Sequence, residues 1–197
     1  MDSIHLKDTH YLASWHKNDL PLIEKWQAKI RNGERSEELG QLFFKHLEAK
    51  LNDHHPAPEP IDVAVDRKYL LTWKGIAKMC RLITQQDTTG FRQGGVAVGT
   101  GSTVPQPYDE ALVAETNYIS FETNGFFDGS GTSIRYCGTF GSDVASNDFT
   151  ESLVRNQSAA GGSIVLCRNI FTDNHIDHTH GNSGFSCAGV IEFVPYL

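Results

Sequence analysis

No run of about 18 apolar residues occurs in this sequence of 197 residues, so no helical membrane span is expected. The opening residues, Met1-Asp2-Ser3-Ile4-His5, lack the apolar stretch of a secretory signal, and synthesis in a cytoplasm is the expectation. The four cysteines (Cys80, Cys137, Cys167, Cys187) show no CxxC spacing, which excludes a zinc ribbon. Buried free thiols, packing as small hydrophobes, are expected in preference to a disulfide. No lysine follows Lys78. Residues 96–197 hold eleven acids and three bases (Arg135, Arg155, Arg168), a net charge of −8, whereas 61–95 carry +3 and 1–60 carry −2. A half this acidic repels phosphate, so nucleic acid is not an expected partner. Gly99-Thr100-Gly101 is followed neither by a third glycine nor by G-K-[ST], and Pro105 and Pro107 stand where a phosphate-binding helix would begin. That excludes both nucleotide fingerprints. No serine occupies a G-x-S-x-G elbow.

What is present divides into a helical and a β part. Residues 1–53 read as a helical arm. Leu20, Ile23, Trp26 and Ile30 share one helix face, with Asp19 placed to cap it, Pro21 tolerated in the first turn and Asn32-Gly33 ending it. A second helix after Ser36 carries Leu39, Phe43, Leu47 and Leu51. The hairpin must dock either on the rest of the chain or on a neighbouring subunit. Residues 54–60, with three alternate prolines, form a semi-rigid linker. Residues 61–197 are expected to be a β-sandwich domain with a leading helix, able to fold without the arm. A short strand is expected around Val63. Thr72 is placed to cap a helix running to Leu82, with Trp73, Ile76, Ala77 and Cys80 on one side.

From Asn117 the period changes to two. Strands are expected over Tyr118–Thr123, Ile134–Phe140 and Gly184–Val194, a weak strand or a turn of helix over Phe149–Val154, and a hairpin turn at Asp128–Gly131. The apolar run Ile164–Phe171 suits a central strand. The fold class is therefore mainly β: an antiparallel β-sandwich or jelly-roll-like domain with an N-terminal helical arm.

The most distinctive stretch is Gln93–Glu115. A strand (Val96–Val98) leads into a turn-dense crossing in which Gly99 and Gly101 permit positive φ and Pro105 stiffens the path. Asp109 is placed to cap the following turn, and Leu112 to plug the end of the sandwich. The pattern Val98-Gly99-Thr100-Gly101, then Ser102-Thr103-Val104-Pro105, then D-x-A-L-x-x-E over Asp109–Glu115 resembles one found in structural proteins of tailed viruses. With the segments Phe149–Asn156 and Gly161–Phe171, the resemblance covers roughly residues 70–197. It implies a tail, fibre/baseplate or capsid-decoration subunit that resides in the virion. Such a subunit assembles as a homo-oligomer (a trimer or hexamer), docks on other capsid or tail proteins, and has neither enzyme activity nor a resident cofactor. This chain departs from the pattern in its N-terminal hairpin and in a histidine-rich stretch.

That stretch, Asp173–His180, holds the pair His178 and His180, which point the same way on a strand. Two imidazoles are too few for a closed metal site. Three copies around a three-fold axis would supply six, similar to trimeric phage fibres that thread ions between such pairs. Within one chain His175 and Asp177 would complete the set instead; a solvated hairpin tip is the remaining reading. A cupin-like metal-dependent enzyme is an alternative function, but the glutamate nearest after His180 is Glu192 and no glycine opens the motif. A glycosidase pair would draw on Asp143, Asp148 and Glu151. A carbohydrate-binding sandwich would use Trp73, Tyr108, Phe126, Phe127 and Tyr136 as its platform.

Overall fold

In the computed structural model, residues 4–34, 36–53, 57–67, 71–86, 90–130, 132–141, 148–157, 163–171, 176–177 and 183–195 are described. The first element departs from expectation. Ile4–His16 is not helix but a long strand, β1, with Tyr11, Ala13 and Trp15 on one face and Asp8, His10, Leu12 and Ser14 on the other, all buried. A strand buried on both faces shows no clean alternation of polar and apolar residues, which hides it from a periodicity reading. The helices follow where expected, except that Asp19, at the start of the first, makes no side-chain capping hydrogen bond. Helix α1 spans Leu20–Arg31, with proline in its first turn and Gly33 (φ +78°) just beyond it. Helix α2 spans Ser36–Leu51.

The rest of the chain runs β2 (Pro60–Asp66), α3 (Trp73–Ile83), β3 (Gly95–Gly99), β4 (Glu115–Ser120), a single turn α4 (Phe121–Asn124), β5 (Gly125–Ser130), β6 (Ser133–Phe140), β7 (Asp148–Phe149), β8 (Glu151–Arg155), β9 (Val165–Ile170), β10 (Ile176–Asp177) and β11 (Ser183–Pro195). Two antiparallel sheets result, with strand orders β2-β1-β11-β6-β5 and β4-β3-β8-β9; β7 and β10 form a small separate pair. The strand expected over Tyr118–Thr123 stops at Ser120, whose hydroxyl accepts from Glu122 N and turns the chain into α4.

Residues 4–16 thus form an inner strand of the larger sheet. β1 pairs with β11 from Ile4↔Pro195 to His16↔Ser183 and with β2 on its other side. The arm of residues 1–53 is corrected accordingly: its first third is sheet, and its helices pack on that sheet within the same chain. Trp15, Ile23, Ile30, Phe43, Phe44 and Leu47 form the core between helices and sheet, joined by Phe126, Cys137 and Ala188. Polar contacts fix the docking. Gln27 Nε2 donates to Thr139 Oγ1 (2.6 Å), and Arg31 donates to the carbonyls of Thr123 (2.8 Å) and Gly125 (3.2 Å).

The second core lies between the sheets and includes Leu12, Val96, Val98, Phe121, Phe140, Phe149, Val154, Leu166, Phe185 and Ile191. The run around Val165–Ile170 is an edge strand rather than a central one. It is nonetheless buried, because Leu71 bridges to Cys167 and Thr72 N donates to Leu166 O (3.0 Å), so that the start of α3 covers the edge. Among the described residues no helix is long and apolar enough to cross a membrane.

Candidate functional site

The crossing from β3 to β4 is clamped from beneath by one buried carboxylate. Glu151, wholly inaccessible in β8, accepts from Gly101 N (3.1 Å) and Ala114 N (2.8 Å) through Oε1. Its Oε2 accepts from Val113 N (3.2 Å) and Arg168 Nη2 (2.8 Å). Arg168, also buried, donates in addition to Asp109 Oδ2 (2.6 Å) and Thr103 O (2.9 Å). Asp109 closes a turn by accepting from Gln106 N (2.8 Å). Burying two charges is favourable only when their polar atoms are engaged; both Glu151 oxygens and both terminal Arg168 nitrogens are, Arg168 Nε alone finds no partner among the described groups, and the pair ties down both ends of the loop.

Gly101 contributes by lacking a side chain rather than by an unusual backbone: a Cβ there would fall 2.4 Å from Glu151 Oε1, and among the described glycines only Gly33 has positive φ. Pro105 is half-buried along the crossing. Leu112 is buried with Ala97, Leu153 and Val165 on the outer face of the smaller sheet, not at the end of the sandwich. Glu151, with every oxygen engaged in this clamp, is unsuited to be one of a pair of glycosidase carboxylates.

Outside this clamp lies an apolar surface. Thr72 caps α3 by accepting from Gly75 N (2.9 Å), as expected. The helix then turns its polar-looking side inward: Gly75 and Lys78 are buried, while Trp73 (66 % exposed), Ile76 (40 %) and Ile83 (81 %) face out with Ala77 and Cys80. The Trp73 ring lies 6.4 Å from that of Tyr108, and Trp73 N donates to Pro107 O (2.8 Å), which joins helix and crossing. Tyr108, Val104 and Val113 are each at least 60 % exposed and extend the apolar surface along the loop. Of the five aromatics considered for a sugar platform, Phe126 and Tyr136 are core and Phe127 packs against core, leaving only Trp73 and Tyr108.

A third cluster lies in the inter-sheet core. Asp8 and His10 project from β1, Tyr136 from β6 and Cys167 from β9, all almost wholly buried. Asp8 Oδ2 shares a hydrogen bond with His10 Nε2, and the Tyr136 hydroxyl shares one with His10 Nδ1. Tyr136 Oη lies 3.9 Å from Cys167 Sγ. One ligand atom each from Asp8, His10 and Cys167 lie within 4.8 Å of one another. Register explains the assembly. Gly189 of β11 pairs with His10 on one side and Tyr136 on the other, and a Cβ on it would meet Tyr136 Oη at 2.3 Å. The glycine lets the tyrosine lie across the middle strand to reach the histidine. Burial pushes the Tyr136 hydroxyl and the Cys167 thiol well above their ordinary ranges, so both are protonated at neutral pH. Nothing in the sequence alone pointed to this cluster, because its members are brought together only by strand order and register.

Four residues are expected to bind metal. His175, His178 and His180 lie outside the described residues, and Asp177 is described only as backbone of β10. All four cysteines are free, with Cys80 exposed and the others buried. Each arginine after residue 96 is buried and engaged: Arg135 with Glu37 O (3.1 Å), Arg155 in a two-pronged pair with Glu115 (2.6 and 2.8 Å), and Arg168 as described. An apolar cleft of about 260 Å³ lined by Met79, Leu82, Phe91, Phe127, Ile134 and Leu166 has Arg92 and Asp128 as its charged neighbours and contains no nucleophile beside a base. Comparison with protein-family models, with curated proteins and with solved structures gave no match.

Proposed function

We propose that the chain is a non-enzymatic structural subunit of a tailed-virus particle, in the tail, fibre/baseplate or capsid decoration, acting by homo-oligomeric assembly. The observation that carries this reading is the outward apolar seam of α3. Trp73, Ile76, Cys80 and Ile83 recur at helical spacing yet face away from the core, beside the exposed Tyr108 and Val104 of a crossing too firmly clamped to fold over them. Contiguous exposed apolar surface of this kind marks a contact with another protein.

The occupant is a second copy of the chain, and charge supports it. The seam is flanked by the exposed Arg81 and by Lys74, which pairs with Glu110 of the same chain, whereas residues 96–197 carry −8 with their three arginines sequestered in the interior. A basic-rimmed helix on one copy and an acidic sandwich on the next make a head-to-tail contact, the kind that closes into rings. Other virion proteins then dock on the assembled ring. The virion assignment itself draws on the resemblance of the Val98–Glu115 pattern.

Light scattering on the purified chain tests the reading. A discrete oligomer is expected, with W73S/I83E running as a monomer whose thermal melt matches the parent, since both side chains are exposed. A parent that remains monomeric at high concentration, or an oligomer indifferent to both substitutions, would overturn it. Oligomerisation accompanied by specific glycan binding at Trp73 and Tyr108 would favour the carbohydrate-binding alternative.

A further inference from the structure

We propose that Asp8, His10 and Cys167 form a buried site for a divalent transition-metal ion, zinc above all, that pins β1 to the opposite sheet. The chemistry of the three side chains carries the argument. Carboxylate, imidazole and thiolate are each ordinary zinc ligands, and here one ligand atom from each lies within 4.8 Å of the other two. They come from two strands on facing sheets, so an ion bridges the layers and not merely neighbouring residues. Independent of that spacing, Asp8 Oδ1 is buried and finds no hydrogen-bond partner among the described groups. A carboxylate oxygen left without a donor in a dry core is costly, and a cation beside it removes the cost.

Charge balances as well. A dication bound by the Asp8 carboxylate and the Cys167 thiolate is neutral as a unit, which suits the apolar surroundings of Phe121, Leu12 and Ile191. Binding displaces the Cys167 thiol proton to solvent as the sulfur–metal bond forms. One ring nitrogen of His10 binds the ion, and the other keeps a hydrogen bond that holds the ring in orientation, as metal-bound histidines generally do. Nε2, beside Asp8, is the nitrogen that binds, and Nδ1 keeps its hydrogen bond with Tyr136 Oη. Its ligands are not those of the His175–His180 stretch. Its burial requires the ion to enter while the sheets close during folding.

The test uses the full chain. After dialysis against metal-free buffer, elemental analysis is expected to show about one transition-metal ion per chain. That content should be lost in C167S and in D8N, retained in H178A/H180A, and bound 10–100-fold more weakly in Y136F. Because C167S or D8N could fail to fold, the parent is also unfolded, stripped and refolded with cobalt(II). A thiolate-to-cobalt charge-transfer band in the near ultraviolet is expected. A folded parent with no bound metal, a refolded cobalt sample without the thiolate band, or metal that survives C167S and D8N but disappears in H178A/H180A each overturns the proposal.

Discussion

Glu151 shows how little a residue's type says about its task. Its acidity, in a loop-rich half of the chain, suits a solvated or catalytic carboxylate, yet it is a buried clamp on three backbone N–H groups and one guanidinium. Nothing local marks it, because its partners lie 17 to 50 positions away. Replacing it with alanine strands Arg168 in the interior and releases the crossing; a loss of about 3–5 kcal/mol is expected in a denaturant titration. Leu112→Ala on the same crossing removes buried apolar volume instead and should cost about 2–4 kcal/mol. A melt indistinguishable from the parent for either variant would contradict these assignments. Leu112 was legible as a core residue from its sequence setting, but the surface it covers was not, since that depends on which face of the sheet the loop crosses.

At the scale of elements, the sequence was most informative where one face alone is buried. Helices α1 and α2, the Thr72 cap of α3 and the turn between β5 and β6 all follow from local chemistry. It misled where two faces are covered, as in β1, and where an apolar face is left uncovered, as in α3, whose stripe was legible but whose direction was not. The docking of α2 includes a titratable contact. His46 is packed against Trp26, and its Nδ1 donates to Pro58 O (2.9 Å). Burial holds its pKa below the ordinary 6.5 even though the Pro58 hydrogen bond pulls the other way. The folded state therefore prefers the neutral ring. This contribution is fully present above the ordinary value and is lost as pH falls below it. Denaturant midpoints should drop on going from about pH 7.5 to about pH 5.5, and less so in His46→Gln; an identical drop in both proteins would remove His46 as the cause.

For the molecule as a whole, the correction to residues 1–53 reverses an expectation about dissection. A detachable arm would leave a stable sandwich behind. With β1 between β2 and β11, deletion of residues 1–16 removes an inner strand of the larger sheet and bares both inter-sheet and helix-facing cores. The truncated chain is expected to show no cooperative thermal transition; a sharp melt with dispersed NMR resonances would show that the strand is dispensable. The broad reading, mainly β with two antiparallel sheets, was legible because short alternating strands and glycine turns are local signals. The sheet order was not, because it pairs residues nearly the whole sequence apart.

That last pairing has a consequence for how the protein is made. β1 leaves the ribosome long before β11, its partner through 13 positions. Until Ser183 and its successors emerge, β1 has no neighbour on that side, and the cores on both of its faces stay open. The sheet therefore closes only once residues 183–195 are available, through contacts of long sequence separation that form slowly. A nascent chain interrupted before β11 is complete cannot close the sheet.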